Sequence, residues 1–364
     1  MMSNPTVSFV VPCYKLAHLL PECVHSILAQ TYRDFEVLIM DDCSPDDTAE
    51  VARSFGDSRI KHVRHSTNLG HLRNYNAGIA LAEGKYLWLI SADDCLRRPY
   101  VLQRYIRLLE AHPNVGYTCC SGVRVRDGVE AEVVASYATH DVIVRGRAFL
   151  KALIKTNFIL TASGLVRREC YDRLGVFPLT MPWAGDWFLW CLFALHYDVG
   201  YFAEPMVCYR DHSLSMTKQL TRAQAEACSR EEIAIPWIIK RKADDAGYRR
   251  TSRVCLGGAA EAYARSVVGT RYCSSRPIMD LDQFEVSLAG YVSNVREKKW
   301  VRARVYAAIG NEYYWQGRFA LAQQFYGTAL RTDPFIAGVL AKRLLLALGR
   351  PGQALRTLIL RASH

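Results

Sequence analysis

The sequence lacks the features that would place it in a membrane, in the secretory pathway or among zinc-finger proteins. It contains no run of about 18 consecutive apolar residues, the length that a membrane-spanning helix needs. The N-terminus, MMSNPTVSFVVPCYK, has no basic leader followed by a long apolar segment, so no secretory signal is expected. Its 12 cysteines include no CxxC pair, which favours reduced thiols over a disulfide framework or a zinc site. We therefore expect a cytoplasmic protein.

The charge of the chain is unevenly distributed. Its 364 residues, of which 50% are hydrophobic, are enough for two or three domains with sizeable cores. Residues 217–364 hold 24 Lys and Arg against 12 Asp and Glu, whereas residues 1–216 hold 22 against 23. This asymmetry indicates an acidic partner or peripheral contact with an anionic membrane at its inner face, and a merely soluble basic surface is the alternative. Nucleic acid is not among the expected partners.

The first 125 residues alternate between strand-like and helix-like segments. Apolar runs predict buried strands at 7–14, 35–44, 60–65, 85–94 and 115–125, and helical spacing predicts helices at 16–30, 48–56, 71–84 and 100–113. This alternation predicts an α/β fold, with a mostly parallel sheet covered by helices on both faces. Residues 130–216 are mixed and irregular.

Acidic and aromatic residues follow three of these strands. Tyr14 lies at the end of the first predicted strand, Asp41 and Asp42 lie near the end of the second, and Asp93 and Asp94 close the run LWLISADD. Ligands of such sheets bind outside the carboxyl ends of the strands, so these residues should surround one crevice. Two adjacent carboxylates at the end of a buried strand indicate either a solvated strand end or a cation site.

From residue 219 onward the pattern is almost wholly helical. Residues 305–334 fit a helix–turn–helix repeat of the tetratricopeptide type, with small or aromatic packing residues at Gly310, Tyr313, Gly317, Phe319, Ala322, Phe325, Ala329 and Pro334. The segment LALGRPGQALRTL (346–358) resembles a second, degenerate copy. A free-standing array needs about 3 repeats, so these helices should pack on the first domain or on their neighbours.

Several motifs in order resemble an inverting glycosyltransferase of family 2 with the GT-A fold. They are VSFVVPCYK, SILAQTYRDFEVLIMDDCSPDDT, NLGHLRNYNAGIALAEGKYLWLISADD, TASGLVRRECYDRLGVF, AGDW and YRDHSLSMT, and they span roughly residues 5–216. The resemblance implies a Rossmann-like GT-A domain at residues 1–216, followed by an all-α region at residues 217–364. Within the domain, residues 1–125 would bind the nucleotide-sugar and residues 126–216 the acceptor.

The resemblance also implies a divalent metal, Mn²⁺ or Mg²⁺, that bridges the donor's phosphates. Hard carboxylate oxygens suit such ions. Asp94 would be the direct ligand, Asp93 would contact the ribose or the metal's waters, and His212 would reach the metal or the diphosphate. Many relatives carry a third acid where this chain has Ser91.

Nucleotide recognition would fall to residues near the first two strand ends and to the helix before the fourth strand. Tyr14 offers a face for a pyrimidine ring, Asp42 can accept the N3–H of uracil or thymine, and Pro12 shapes the loop. Arg73 and Asn76 resemble residues that reach the nucleotide and diphosphate. The alternatives are helix capping for the aspartate and a plain surface charge for the arginine.

The catalytic base would be Asp186 in WAGDWFLW. An inverting transfer needs one carboxylate that takes the proton of the attacking hydroxyl. A helix N-terminus at this aspartate would favour its ionised form. Trp183 and Trp187 could stack on acceptor sugars, although Trp187 is better suited to packing.

The resulting prediction is a metal-dependent inverting glycosyltransferase that uses a UDP- or dTDP-sugar. A glycan or lipid-linked acceptor in polysaccharide assembly is one reading, and a polypeptide acceptor bound by the repeat-like helices is the other. A sugar-1-phosphate nucleotidyltransferase would want a glycine-rich loop after the first strand, and VVPCYKLAHLL contains no glycine. A non-enzymatic helical scaffold would leave the acidic residues without a role.

Overall fold

The computed structural model describes residues 4–126, 128–212, 215–269, 277–336 and 338–347. Within these ranges, none of the helices combines the length and the apolar character needed to cross a membrane. The cysteines of the same ranges form no disulfide.

The chain divides into two compact units. The N-terminal unit comprises Met1–Leu153 and Asn157–Lys218, and the C-terminal unit comprises Ile154–Thr156 and Gln219–His364. The sequence places the corresponding boundary between residues 216 and 217. A short stretch that precedes Asn157 is thus grouped with the later helices, which the sequence does not indicate.

The first half of the N-terminal unit follows the predicted alternation. Its elements are β1 (Val7–Cys13), α1 (Leu20–Leu28), β2 (Phe35–Asp41), α2 (Thr48–Ser54), β3 (Ile60–Arg64), α3 (His71–Leu81), β4 (Tyr86–Leu89), β5 (Cys95–Leu96), α4 (Val101–Ala111) and β6 (Val115–Arg126). The predicted strands and helices are confirmed with ends that differ by a few residues. The short strand β5 was not predicted.

The second half of this unit is more regular than the sequence indicates. Its elements are β7 (Val129–Val134), β8 (Val142–Val144), α5 (Gly146–Leu153), β9 (Leu165–Arg167), α6 (Arg168–Leu174), α7 (Gly185–His196) and β10 (Asp198–Arg210). The strand order is β3-β2-β1-β4-β9-β6-β10-β5, with β7 on β6 and β8 on β10. β9 runs antiparallel to β4 and β6, so the sheet is mixed.

The sheet is buried on both faces at its centre. Every residue of β1 and β2 is buried, which explains why their sequences are continuous apolar runs. A stack of aromatic rings crosses this core: Phe9 lies 5.5 Å from Trp88, Trp88 4.8 Å from Tyr105, and Tyr105 4.8 Å from Phe202, measured between ring centroids. These rings come from β1, β4, α4 and β10, and they join both halves of the unit in one core.

The remaining elements are helices: α8 (Met216–Ala223), α9 (Ala225–Asp245), α10 (Arg249–Val268), α11 (Leu281–Tyr291), α12 (Val295–Trp315), α13 (Phe319–Thr332) and α14 (Val339–Ala347). The predicted helix–turn–helix at 305–334 is confirmed, because α12 and α13 are joined by a turn at Gly317, whose φ is +73°. The predicted second copy at 346–358 lies outside the described residues, apart from its first two.

Gly310 allows α12 and α13 to approach closely. A Cβ at this position would lie 2.6 Å from two ring carbons of Tyr326. We expect Gly310→Ala to destabilise the helical unit by about 1–3 kcal/mol through overpacking, measured as a lower midpoint of thermal unfolding. Gly257→Ala in α10 is the matched control, because a Cβ there meets no atom within 4 Å. Equal midpoints for the two variants would contradict this prediction.

Candidate active site

The carboxyl ends of β2, β1 and β4 lie side by side, because these strands are parallel neighbours. The backbone N–H of Asp42 donates to the carbonyl oxygen of Cys13 at 3.0 Å, and the N–H of Ala92 donates to that of Pro12 at 3.2 Å. The loops after these strands are therefore tied together. Pro12 contributes its backbone at this junction, and Tyr14, two residues later, is 42% exposed.

The adjacent acids after β2 have different surroundings. Asp41 is fully buried, and its Oδ2 accepts from Arg64 Nη1 at 2.6 Å while its Oδ1 accepts from the N–H of Ser44 at 2.7 Å. Asp42 accepts from the backbone N–H groups of Leu69 at 2.7 Å and Gly70 at 3.0 Å. The buried Asp41 is thus paired with the half-exposed Arg64, whereas Asp42 fixes the loop that leads into α3.

Gly70 is the residue immediately before α3, and its φ is +79°, a conformation that glycine adopts without a steric penalty. This conformation lets its N–H point at the Asp42 carboxylate. Each carboxylate oxygen can accept more than one hydrogen bond, so Asp42 keeps acceptor capacity for a base N–H. The predicted base-recognition residue is therefore also a structural residue of its loop.

Of the two predicted nucleotide-binding residues of α3, one is exposed and the other is held by backbone hydrogen bonds. Arg73 is exposed and has no hydrogen bond or ion pair with the residues that the structure describes. Asn76 donates from Nδ2 to the carbonyl oxygen of Phe177 at 2.9 Å and accepts from the N–H of Phe177 at 3.0 Å. Both ends of its amide group bind backbone, so Asn76 fastens the segment before α7 to α3.

The predicted metal-binding residues meet at the end of β4. His212 Nε2 lies 2.9 Å from Asp93 Oδ2. Arg210 donates its backbone N–H to Asp94 Oδ1 at 3.0 Å and its Nε–H to the carbonyl oxygen of Asp93 at 3.1 Å, and its Nη2 reaches Glu22 at 2.6 Å. No sequence pattern singles out Arg210, although it lies in the motif YRDHSLSMT. Its contact with Asp94 is made by its backbone N–H, and such a contact cannot be predicted from the type of residue.

The electrostatics of this pair favour a bound cation. Burial and the negative charge of Asp93 raise the pKa of Asp94 well above its ordinary value. Burial acts in the same direction on Asp93, but hydrogen bonds from His212 and Ser91 outweigh it and lower the pKa of Asp93. One of two buried, adjacent carboxyls is thus hard to ionise. A divalent cation would supply the missing positive charge.

The same residues do not by themselves supply a complete set of metal ligands. In the part of the chain that the structure describes, no three His, Cys, Asp or Glu side chains converge on one metal position. Ions such as Mg²⁺ are commonly bound by one or two carboxylates together with substrate phosphates. The donor set of Asp93, Asp94 and His212 fits a metal that a bound diphosphate completes.

Asp186 lies at the beginning of α7 and is partly buried. Its Oδ2 accepts from Thr161 Oγ1 at 2.9 Å and from Asn157 Nδ2 at 3.3 Å, and its Oδ1 accepts from the N–H of Trp187 at 2.6 Å. Burial raises the pKa of Asp186, and these hydrogen bonds only partly oppose it. The backbone N–H groups at the helix N-terminus favour the ionised form, as expected from the sequence, but burial outweighs them. A carboxylate with a raised pKa is a stronger base.

The side-chain partners of Asp186 are two residues for which the sequence suggests no individual role, Asn157 and Thr161. Thr161 is the first residue of the motif TASGLVRRECYDRLGVF, and its position in that motif is the sequence feature that could have indicated a role in the site. Asn157 lies outside every quoted motif. Trp187 is buried, and its Nε1–H donates to the carbonyl oxygen of Leu153 at 2.7 Å, which is a packing role. Trp183 is partly exposed in the segment before α7.

These features define the class of the protein. A mixed α/β sheet ends in paired acids beside an exposed aromatic ring, and a separate carboxylate is held at the start of a later helix. This is the arrangement of a GT-A glycosyltransferase domain. Residues 8–175 match the family described as "Glycosyl transferase family 2". Residues 8–175, somewhat less than half of the chain, are thus similar to glycosyl transferase family 2.

Curated relatives agree with this family. The chain is 32% identical over 111 residues to glycosyltransferase GlyG of Streptococcus pneumoniae, which covers 30% of this chain and 37% of the relative. It is 26% identical over 219 residues to an uncharacterized glycosyltransferase of Rickettsia typhi, covering 59% of this chain and 66% of that relative. The chain thus matches about a third of the first relative's length and just under two thirds of the second.

Solved structures show the same fold. The structure of S. aureus TarS residues 1–349 in complex with UDP aligns with a TM-score of 0.60 at 16% identity, covering 95% of this chain and 92% of TarS. The complex of the same TarS fragment with UDP-GlcNAc aligns with a TM-score of 0.55 at 15% identity, covering 96% and 88%. The likeness extends beyond the catalytic domain into the helical region.

Proposed function

We propose that the protein is a metal-dependent, inverting glycosyltransferase that moves a sugar from a UDP- or dTDP-sugar to an acceptor hydroxyl. The observation that carries this proposal is Asp186, a carboxylate of raised pKa held by Thr161, Asn157 and the backbone of Trp187. It lies in the same unit as the paired acids at the end of β4. Asp186 is suited to take a proton from the acceptor, and Asp93 and Asp94 are suited to bind the diphosphate of the donor through a metal ion.

The proposed reaction is a single displacement. The acceptor oxygen forms a bond to the anomeric carbon while the bond from that carbon to the diphosphate oxygen breaks, and the nucleoside diphosphate leaves with the bonding electrons. Asp186 takes the proton of the attacking hydroxyl. An α-linked donor would therefore give a β-glycoside.

Donor binding in this proposal uses the edge formed by β2, β1 and β4. The exposed ring of Tyr14 would stack on the base, Asp42 would accept its N3–H, and Arg73 would reach the diphosphate. Pro12 would contribute to the shape of the loop, and Asp93 would contact the ribose or the metal's waters. The UDP and UDP-GlcNAc present in TarS structures support a uridine nucleotide.

The metal in this proposal is Mn²⁺ or Mg²⁺, held by Asp94 and His212 together with the donor's phosphates. When bound, such an ion stabilises the negative charge that develops on the leaving diphosphate. Asp94 uses only Oδ1 for the Arg210 N–H, which leaves Oδ2 for coordination. His212 would exchange its hydrogen bond with Asp93 for the metal or present its other nitrogen.

The acceptor we propose is a glycan or lipid-linked glycan in polysaccharide assembly. Residues 217–364 carry 24 Lys and Arg against 12 Asp and Glu, a balance that suits anionic lipid or lipid diphosphate. Salt-sensitive binding to anionic liposomes would support this reading. A polypeptide acceptor is the second candidate, because α12 and α13 form a repeat-like hairpin of the kind that binds peptides. Co-purification of a glycosylated polypeptide would favour it.

A thermal-shift screen of nucleotide-sugars, with and without Mn²⁺, tests the proposed function. Ligand binding raises the stability of the folded protein with the logarithm of ligand concentration over Kd. We expect the largest shift from a UDP- or dTDP-sugar with Mn²⁺, together with slow release of free UDP or dTDP from that donor. No shift with any nucleotide-sugar would overturn the proposal.

The pH dependence of transfer should report Asp186. A protonated carboxyl cannot accept a proton, so kcat/KM should fall as the pH drops through the pKa of this group. Because burial raises that pKa, we expect the acidic limb at a pH clearly above the ordinary value of 3.8. The pH at which kcat/KM falls is measured by a rate profile from pH 3.5 to 8. The residual activity of Asp186→Asn should show no such fall. A limb at or below pH 3.8 would contradict the prediction.

A further inference from the structure

Tyr75 of α3 is clamped between two rings. Its ring centroid lies 5.6 Å from that of His71 and 5.4 Å from that of Phe177, both in edge-on arrangements. His71 is itself fixed, because its Nε2 lies 2.9 Å from the carbonyl oxygen of Pro182. The orientation of the Tyr75 ring is therefore set by neighbours on both sides.

The same neighbours place Tyr75 beside the beginning of α7. Phe177 is bound through its backbone to Asn76, the residue next to Tyr75. A Cβ at Gly185 would lie 3.4 Å from the ring of Phe177 and 3.7 Å from Leu72 of α3. Since Asp186 directly follows Gly185, the face of α3 that carries Tyr75 packs next to the proposed base.

Asp93 and Asp94 lie near enough to Tyr75 for their charges to act on its phenol. After burial, the charges of Asp93, Asp186 and Asp94 each raise the pKa of its phenol. Its hydroxyl thus stays protonated at neutral pH. It makes no hydrogen bond with the residues that the structure describes, unlike Tyr117 and Tyr263 in the same chain, whose hydroxyls have partners.

We propose that the Tyr75 hydroxyl donates a hydrogen bond to a hydroxyl oxygen of the sugar being transferred, and so takes part in donor selection. The proposal rests on the proposed function. Asp93 and Asp94 would mark the diphosphate side of the reacting carbon, and Asp186 the acceptor side. Tyr75 packs beside the start of α7 through Phe177, and a hydroxyl there would lie beside the sugar between these acids.

Sugar binding and nucleotide binding can be separated by comparing UDP-sugars with free UDP. The probes are UDP-GlcNAc, UDP-glucose and UDP-galactose, each with Mn²⁺, and the UDP-sugar that binds the unaltered protein most tightly is used with the variants. Tyr75→Phe keeps the ring packing and removes only the hydroxyl. Tyr100→Phe is the matched control, because its hydroxyl donates to Glu204 on the surface at 2.6 Å.

We expect Tyr75→Phe to weaken binding of that UDP-sugar about tenfold, the scale of one hydrogen bond, while the Kd for UDP changes less than twofold. Tyr100→Phe should change neither. Equal loss for UDP and the UDP-sugar, or no loss for either, would overturn the role of Tyr75. Failure of the unaltered protein to bind any nucleotide or nucleotide-sugar would instead overturn the proposed function beneath it. Circular dichroism of each variant verifies the fold.

Discussion

Asp186→Asn is expected to reduce sugar transfer by a factor of about 10²–10⁴, the usual contribution of general base catalysis. The amide keeps the shape of the carboxyl and can still accept from Thr161, but it cannot take a proton from the acceptor. Donor affinity should stay within twofold, because no part of this role concerns the nucleotide. Steady-state transfer rates and titration of the UDP-sugar measure the two effects separately.

The matched control for this variant is Asp172→Asn. Asp172 lies exposed on α6 of the same unit, so the same chemical change there should leave transfer unaltered. Transfer that survives in Asp186→Asn would refute the base assignment. Equal loss in both variants would point to a general effect on the unit.

The second large effect is expected from Asp94→Asn. The pKa of Asp94 is raised, so an amide resembles the form that the carboxyl adopts without a cation. The fold should therefore tolerate the change, while coordination of the metal is lost. We expect Mn²⁺ to strengthen UDP binding to the unaltered protein by roughly 10- to 100-fold, the scale on which metal sites respond to their ligands, and to have no effect on the variant.

Titrations of UDP in Mn²⁺ and in excess EDTA check this expectation. In EDTA the unaltered protein and Asp94→Asn should bind UDP equally weakly, which separates loss of metal from damage to the nucleotide site. Asp172→Asn again serves as the control and should respond to Mn²⁺ normally. A donor affinity of the unaltered protein that is the same in EDTA as in Mn²⁺ would contradict the metal role.

The elements that surround the site could be predicted because their causes are local. β1 and β2 are buried on both faces, and this forces apolar side chains at every position. Parallel pairing then brings the residues after β1, β2 and β4 to one edge, so Tyr14, Asp42 and Asp93 could be grouped from sequence alone. The turn at Gly317 could also be predicted, because this glycine separates two segments with helical spacing of apolar residues.

The missed features depend on contacts between distant residues. Asn157 and Thr161 reach Asp186 across 29 and 25 positions in the chain, and no local pattern links them. The backbone contacts of Asn76 were missed for the same reason, because its amide meets the backbone of Phe177, 101 positions away. The direction of the Asp186 pKa shift could not be predicted for the same reason. The sequence indicates that Asp186 begins a helix, but the burial that raises its pKa arises only when distant segments pack around it.

Strand β9 shows why the sheet itself was only partly predictable. It is three residues long, lies between β4 and β6, and runs antiparallel to both. So short a strand has too few residues to show an alternating or continuous pattern. Its place in the centre of the sheet follows from pairing with two strands far away in sequence.

The contact between Arg210 and Asp94 bears on how the protein folds during its synthesis. It lies at the end of β10, 116 positions after Asp94, and its backbone holds one oxygen of that carboxylate. A ribosome releases the acids long before it releases the residue that orients them. Residues 1–125 would therefore not be expected to reach their final structure on the ribosome ahead of the rest, and a fragment that ends at residue 125 should emerge with its acidic pair unsupported.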